Sequence, residues 1–539
     1  MLRVLRTPRV LVGAALLGAP LLGAPLLGAP LRAQTALPPS RDWSPEDRAV
    51  VGDFSRITAV AAGMDRVFVA SPTGLALYDP QFQRWQGSVP PPPGVDFSRV
   101  FQAAVDPLDG SAWFAKPDGW LRYQPDLRTW DQGTVPAGVR AIAFDLDAPG
   151  AGAYVRTAQG WMTIPHGGGI AMPSPAPTHP VGLATIGDAI RSNPALQANS
   201  AQILLDNRLR SVRYTAAARS YDGRGWFLGT WGVGLLYVQD GGGLPQRLPF
   251  GLPGQRVGAL FGAPDGVWVA TDRTVQDDAG LTLVDGELTR FQTLRPPSAL
   301  GYGFQHVYRL TGQGKALWAA TDAGLARIDP ASGDTRTLDE GRGLPDARVY
   351  AVASSHGLIT VATAHGLARV DDSLKARRIA KNFTDPAYAL SVRDDTTWVG
   401  TPIGVFAALE GADDLVQPAA LGTSALFRAP VYDFAWVGDT LVALTPDRLL
   451  YRDARGTWAA GPVLSATLGR LRMLVADRDG LWVGGDRGVG FARPNTLALR
   501  PLLLGDLPDV PTSLAIEDGH LWVGTLAGLV RWRLDAIRP

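Results

Sequence analysis

The sequence predicts an all-β fold, a β-propeller of about eleven four-stranded blades with one helical insertion. Three observations predict it. A strand reading like Leu-Trp-Val-Gly-Thr recurs along the chain, clearest at Leu317-Trp318-Ala319-Ala320-Thr321, Leu481-Trp482-Val483-Gly484-Gly485 and Leu521-Trp522-Val523-Gly524-Thr525. The spacing of its copies is near the 40–50 residues a propeller blade needs. Gly (63) and Pro (43) are both plentiful, as a chain with many turns requires.

The repeat runs from residue 56 to the end. Its large central position is filled by Phe68, Trp113, Tyr154, Phe227, Trp268, Trp318, Thr360, Trp398, Val442, Trp482 and Trp522. Successive spacings are 45, 41, 73, 41, 50, 42, 38, 44, 40 and 40, so only one interval is out of step. Each copy shows three strands, A to C, with the large residue on strand B, and a weaker strand D follows. A lone four-stranded blade leaves two faces bare, and stacking blades about an axis covers both. A glycine at the B–C turn, as at Gly324 and Gly366, supplies the positive φ of a tight hairpin.

Eleven blades exceed the usual four to eight of one ring, so two rings sharing the chain are expected, with a degenerate twelfth blade in the 73-residue gap as an alternative. The last copy stops after its strand C, 528–534, and residues 47–53 precede the first strand A where a strand D normally lies. The N-terminal segment is therefore expected to complete the last blade.

Residues 1–36 are expected to be a signal peptide, outside the repeat array of 41–539. Arg3, Arg6 and Arg9 precede an apolar stretch, 10–31, that contains Leu-Leu-Gly-Ala-Pro three times, and small residues follow at Ala33 and Ala36. Pro20, Pro25 and Pro30 argue against a membrane helix there. No later segment is apolar enough to span. The protein is thus expected to be periplasmic or extracellular.

Composition excludes several functions. Lys+Arg (51) and Asp+Glu (50) nearly cancel, so nothing favours a phosphate backbone, and nucleic acid is not expected as a partner. With no cysteine, disulfides, thiolate metal sites and thiol nucleophiles are all absent. The six histidines form no HxxxH or HExxH pair, and no P-loop, nucleophile elbow or dinucleotide glycine pattern stands in a suitable context. Asp109-Gly110 reads as a tight A–B turn. No cofactor and no metal are expected.

The segments Gly343-Leu344-Pro345 before Val349 and Gly251-Leu252-Pro253 before Val257, each upstream of the next Leu-Trp-Val-Ala-Thr-like strand, resemble the repeat of two-component regulator propellers. The resemblance covers nearly the whole chain after residue 40 and implies the fold. Such propellers often form the sensor half of membrane histidine kinases. The signalling role is not carried over, because no kinase or output domain is present in this sequence.

Candidate binding residues lie where the repeat breaks and at one rim. Residues 175–213 form the insertion, where Asn193 caps a helix beginning at Pro194. The lengthened B–C loop of the fifth copy, 272–279, carries Asp272, Asp277 and Asp278. Helix and acidic loop are expected side by side over one end of a ring, with Trp231 between them, and the flanking blades are expected to fold without the insertion. Twelve residues before the strand-B position stand Arg56, Arg256, His306, Arg348 and Arg470, with Arg99 and Arg140 at the same place in copies with longer turns. These cations read either as a belt of Arg–Asp pairs between blades or as a surplus facing an anionic ligand. The functional expectation is a non-enzymatic binding or scaffold module for a protein partner or an anionic glycan. A propeller enzyme, a polysaccharide lyase or hydrolase or a lactonase-like protein using Arg, His and Tyr at the channel, stays open as the alternative.

Overall fold

The computed structural model describes Trp43 and residues 47–538, apart from 90, 93, 206–210, 242–243, 275–276, 278, 295, 298–300, 356, 372, 394–395, 410, 419–424, 479, 494–501 and 504–505. The expected signal segment 1–36 and the candidate Asp278 lie outside the described residues.

The described residues form eleven antiparallel sheets, nine of four strands, one of three and one of five. In chain order they span 59–89, 102–134, 141–181, 214–248, 257–293, 307–338, 349–379, 389–409, 433–463, 471–503 and 511–533, and are called sheets 1 to 11. These repeated sheets are consistent with a β-propeller. Sheet 8 has only three strands. Sheet 11 takes its fourth from the other end of the chain: Arg48–Val51 pairs antiparallel with Gly528–Arg533, Arg48 opposite Trp532 and Val51 opposite Leu529. The N-terminal segment therefore completes the last sheet, as the missing strand D implied.

All eleven strand-B residues are buried, from Trp113 and Trp482 at 0% exposure to Tyr154 at 9%. Most of them pack onto the next sheet. Trp318 meets Val349, Val352 and Val361, Trp398 meets Phe434 and Leu441, and Trp482 meets Leu521 and Val523. Trp522 of sheet 11 joins Val257, Leu260 and Val267 of sheet 5, and Phe227 of sheet 4 joins Val60, Val67 and Val69 of sheet 1. The threonine that ends many B strands closes the hairpin: buried Thr321 donates to Gly324 O (2.6 Å) and accepts from Ala323 N (3.1 Å). At Gly324, φ is 121° and a Cβ would stand 2.2 Å from Leu338 O, so only glycine fits there.

Contacts between strands A sort the sheets into two groups. Those of sheets 5 to 11, beginning at Val257–Ala263, touch in order, and Pro511–Glu517 of sheet 11 returns to Val257–Ala263, so seven sheets make a cycle. Sheets 4, 1, 2 and 3 make the second group, in that order of contact. The chain passes from Arg48–Val51 in sheet 11 to sheets 1–4 and returns at sheet 5. At the two crossings Asp53 bridges Gly251, Leu252 N donates to Gly52 O (3.3 Å), and Phe250 packs 5.1 Å from Phe54 and 4.6 Å from Phe291.

The insertion fills the place between sheets 3 and 4. Pro180–Val181 adds to the inner edge of sheet 3, pairing with Phe144 and Asp145. Helix α1 (Ile186–Ser192) is capped by Thr185 in a reciprocal box with Asp188, and α2 (Pro194–Ile203) follows, with Asn193 Oδ1 accepting from Ala195 N (3.0 Å). Ala189 and Leu196 are buried with Trp226, Leu228, Leu236 and Val238 of sheet 4. The helices thus cover an apolar sheet face and do not stand over one end of a ring. No further four-stranded sheet occupies the gap among the described residues. No helix among them is long and apolar enough to cross a membrane.

Candidate functional site

The sheets of the seven-membered cycle bring the position ten residues before each strand-B anchor to the centre. It is occupied by Gly258, Tyr308, Tyr350, Tyr388, Tyr432, Arg472 and Thr512. In sheets 5, 6, 7, 10 and 11 this residue sits in a register shift, as between Val307 and Arg309, and is left out of the ladder. A bulge of this kind re-aims the side chain away from the regular alternation. Tyr388 and Tyr432 stand just before their strands, their N–H groups held by Gly400 O (2.7 Å) and Leu444 O (2.9 Å).

The four tyrosines form a continuous arc with ring centroids 5.4, 5.5 and 5.8 Å apart, the first two contacts edge-on and the third tilted. They line a cavity of about 310 Å³ with Arg309, Arg470, Arg472, Asp433, Thr512 and Ser513. On the floor, Arg309 of sheet 6 pairs with buried Asp433 of sheet 9, and Asp433 also accepts from Phe434 N (2.9 Å) and Leu474 N (3.1 Å). Toward the rim Arg470 donates to the Tyr432 hydroxyl and lies 5.4 Å from its ring centroid. A hydrogen bond to Tyr350 strengthens the Arg348 cation. Arg472 is half exposed and donates to Asp486 (2.6 Å). Three arginines and one carboxylate line this cup. Burial pushes the Tyr308 and Tyr388 phenols above their ordinary value.

Five of the sequence candidates, Arg256, Asp272, His306, Arg348 and Arg470, belong to this cycle's rim. Arg256 and His306 both face Asp272, each at 3.3 Å, and Asp272 Oδ1 accepts from Val307 N (3.2 Å). Burial pushes the Asp272 carboxyl up despite these partners. Arg348 and Arg470 turn to the tyrosines instead. Arg56 pairs with Asp277, with Asp53 3.6 Å away, and its backbone bridges Trp231. Asp53 and Asp277 are buried, and this cluster ties sheets 1, 4 and 5 together at the junction of the two groups. Arg99 pairs with Asp118 at 3.2 Å, both half exposed, and Arg140 is exposed on sheet 3. The structure does not bring Arg99 and Arg140 to the cup.

The tyrosines, Arg309, Asp433 and Arg472 escaped sequence reasoning. The signal was present: Val-Tyr or Ala-Tyr recurs at 307–308, 349–350, 387–388 and 431–432, two residues after His306 and Arg348 in the first two copies and after Pro386 and Pro430 in the others.

No family model matches this chain, and no curated protein does. Solved structures are similar to it at low identity. The extracellular domain of a putative one-component system, BT4673, from B. thetaiotaomicron shares 12% identity over 89% of this chain and 70% of its own, with a TM-score of 0.42. PorZ, a bacterial surface component of the type-IX secretion system of Porphyromonas gingivalis, shares 13% over 88% of this chain and 68% of its own, at 0.45. A catalytically inactive virginiamycin B lyase from Staphylococcus aureus shares 15% over 52% of this chain and 95% of its own, at 0.42.

Proposed function

We propose that the chain is an extracytoplasmic, non-enzymatic binding protein made of a seven-bladed propeller and a four-bladed partial ring, and that its cup takes an anionic glycan. The observation that carries this reading is the tyrosine arc joined to Arg470 and Arg472. Aromatic faces offer flat apolar area to the C–H faces of sugar rings at low entropy cost. Guanidinium groups supply the planar two-pronged donors that carboxylate and sulfate accept. Arg348 at the rim extends the cationic surface outward.

The rival reading, a lyase-like enzyme, draws support from the same convergence of Arg, His and Tyr. A phenol serving as the base in such chemistry has to give up its proton, and burial works against that at Tyr308 and Tyr388.

The test is titration calorimetry with a uronate oligosaccharide and a neutral oligosaccharide of equal length. The uronate ligand should bind, weaken as salt rises, and lose at least about tenfold affinity in Tyr350→Ala and in Arg470→Ala. Equal affinity for both oligosaccharides, or unchanged binding in the variants, overturns the cup as the site. Shortening of the uronate chain during incubation overturns the non-enzymatic reading.

A further inference from the structure

A second cluster lies far from the cup in sequence, where the A–B turn of sheet 2 meets the C–D turn of sheet 3. The turn Asp106-Pro107-Leu108-Asp109-Gly110 is closed by Gly110 N donating to Asp106 O (2.9 Å) and by Leu108 N donating to Asp106 Oδ1 (2.9 Å). This fixes Asp106 with its carboxylate fully buried, at 0% exposure. Asp109 is fixed from two sides. Ser111 N donates to its Oδ1 (2.9 Å), and the buried Arg122 guanidinium donates to its Oδ2 (2.5 Å). From sheet 3, just beyond the strand Gly160–Ile164, His166 enters between the two carboxylates.

The arrangement is unlike an ordinary ion pair. His166 Nδ1 lies 2.9 Å from Asp106 Oδ2, in ion-pair contact, yet neither atom has a well-aligned hydrogen bond among the described residues. A buried carboxylate oxygen left in this way has lost its hydration without gaining a hydrogen bond in return. Two ligands at a right angle on one ion, each at about 2.1 Å, stand about 3 Å apart. One donor atom from each of Asp106, Asp109 and His166 falls within 4.8 Å of the others.

We propose that Asp106, Asp109 and His166 form a binding site for a first-row divalent metal ion such as Mn²⁺ or Zn²⁺. The donor set is two carboxylates and one imidazole. Ca²⁺ prefers six to eight oxygens, whereas imidazole with carboxylate suits transition ions. Arg122 holds Asp109 in orientation, the supporting part that hydrogen-bonded groups play around metal ligands. His166 is about one-third exposed, leaving the remaining positions open to water or to a ligand. The ion would tie sheet 2 to sheet 3 at the end of the four-sheet group opposite its B–C turns. It uses none of the cup residues, so it stands or falls independently of the glycan reading.

The experiment is titration of the protein, purified in chelator, with Zn²⁺, Mn²⁺ and Ca²⁺ separately. One Zn²⁺ or Mn²⁺ should bind per chain, and affinity should fall at least tenfold in Asp106→Asn and in His166→Ala, with Ca²⁺ binding weaker than either ion. The ion should raise the melting midpoint of the parent and leave that of the variants unchanged. The proposal is overturned if the parent binds neither ion, or if both variants bind like the parent. It is also overturned if His166→Ala is destabilised equally with and without the ion, which would make His166 only an ion-pair clamp.

Discussion

Arg309 and Asp433 meet across the centre of the seven-sheet cycle, one from sheet 6 and the other from sheet 9, with two sheets between them on the shorter way round. Asp433 is almost fully buried on its side of the pair, while about a third of the Arg309 side chain is exposed. The pair floors the cup and braces the cycle. Asp433→Ala strands the arginine and the N–H of Leu474, and should cost about 2 kcal/mol, less than the about 3–5 of a fully buried pair because Arg309 keeps water contact. Replacing both, Arg309→Met with Asp433→Leu, should restore part of the loss. Urea melts of the parent and these two variants check this, and a double variant worse than Asp433→Ala contradicts it.

The strand Arg48–Val51 pairs with Gly528–Arg533 and also meets sheet 1, where Ser88 Oγ donates to Val50 O (3.1 Å). Deleting 47–53 should leave the outer edge of sheet 11 open and remove Val51 and Asp53 from the buried junction. Loss of a single cooperative melt and concentration-dependent aggregation are expected. A truncated protein that melts like its parent would show that the closure contributes nothing.

Replacing 186–203 with a short linker should destabilise the protein, contrary to the expectation from sequence that the blades fold without it. The helices cover Trp226, Leu228, Leu236 and Val238, and exposing such side chains costs about 1.5–3 kcal/mol each at full burial. A lowered melting midpoint with new binding of a hydrophobic dye is the expected result. An unchanged midpoint would make the helices a removable appendage.

Asp272 sets a pH dependence with a definite sign. Burial holds its carboxyl above the ordinary 3.8, against the lowering by Val307 N–H, His306 and Arg256. Between that value and the raised one the native state binds more protons than the unfolded chain, so this residue's contribution falls as pH rises through the window. Asp272→Asn removes the effect. Measured in a His306→Gln background, to exclude the imidazole's own titration, the stability of the Asp272 protein relative to its Asn variant should increase as pH drops from neutral to about 4. A decrease would mean that the ion pair with Arg256 outweighs burial.

Much of the fold was legible because Trp113, Trp318 and Trp482 recur at blade spacing and each must be buried against a neighbour. The pairing of Arg48–Val51 with Gly528–Arg533 was legible because a strand D was missing at one end and spare at the other. The cup was not. Tyr308, Tyr350, Tyr388 and Tyr432 look like ordinary strand residues until seven consecutive sheets are known to close on one another, and the bulges that re-aim two of them leave no mark in composition. The rim column was found, but Arg56 serves a junction while Arg470 serves a tyrosine. That division depends on which sheets are neighbours in space. Asp106 and His166 are separated by a whole sheet in sequence, so no local spacing links them.

The threading of sheets 1–4 into the larger cycle also sets an order of events in time. Arg48–Val51 is the first of the described strands to be synthesised and has no ladder partner until Gly528–Arg533 follows, roughly 480 residues later, which at about 5–20 residues per second is on the order of half a minute to a minute and a half. Throughout that interval the leading strand is adhesive and unsatisfied, while sheets 1–4 have all their own strands and can form behind it. This strand is therefore the part of the described fold that stays unpaired longest, and whatever shields it until Gly528–Arg533 is made decides how much of the protein reaches the closed state.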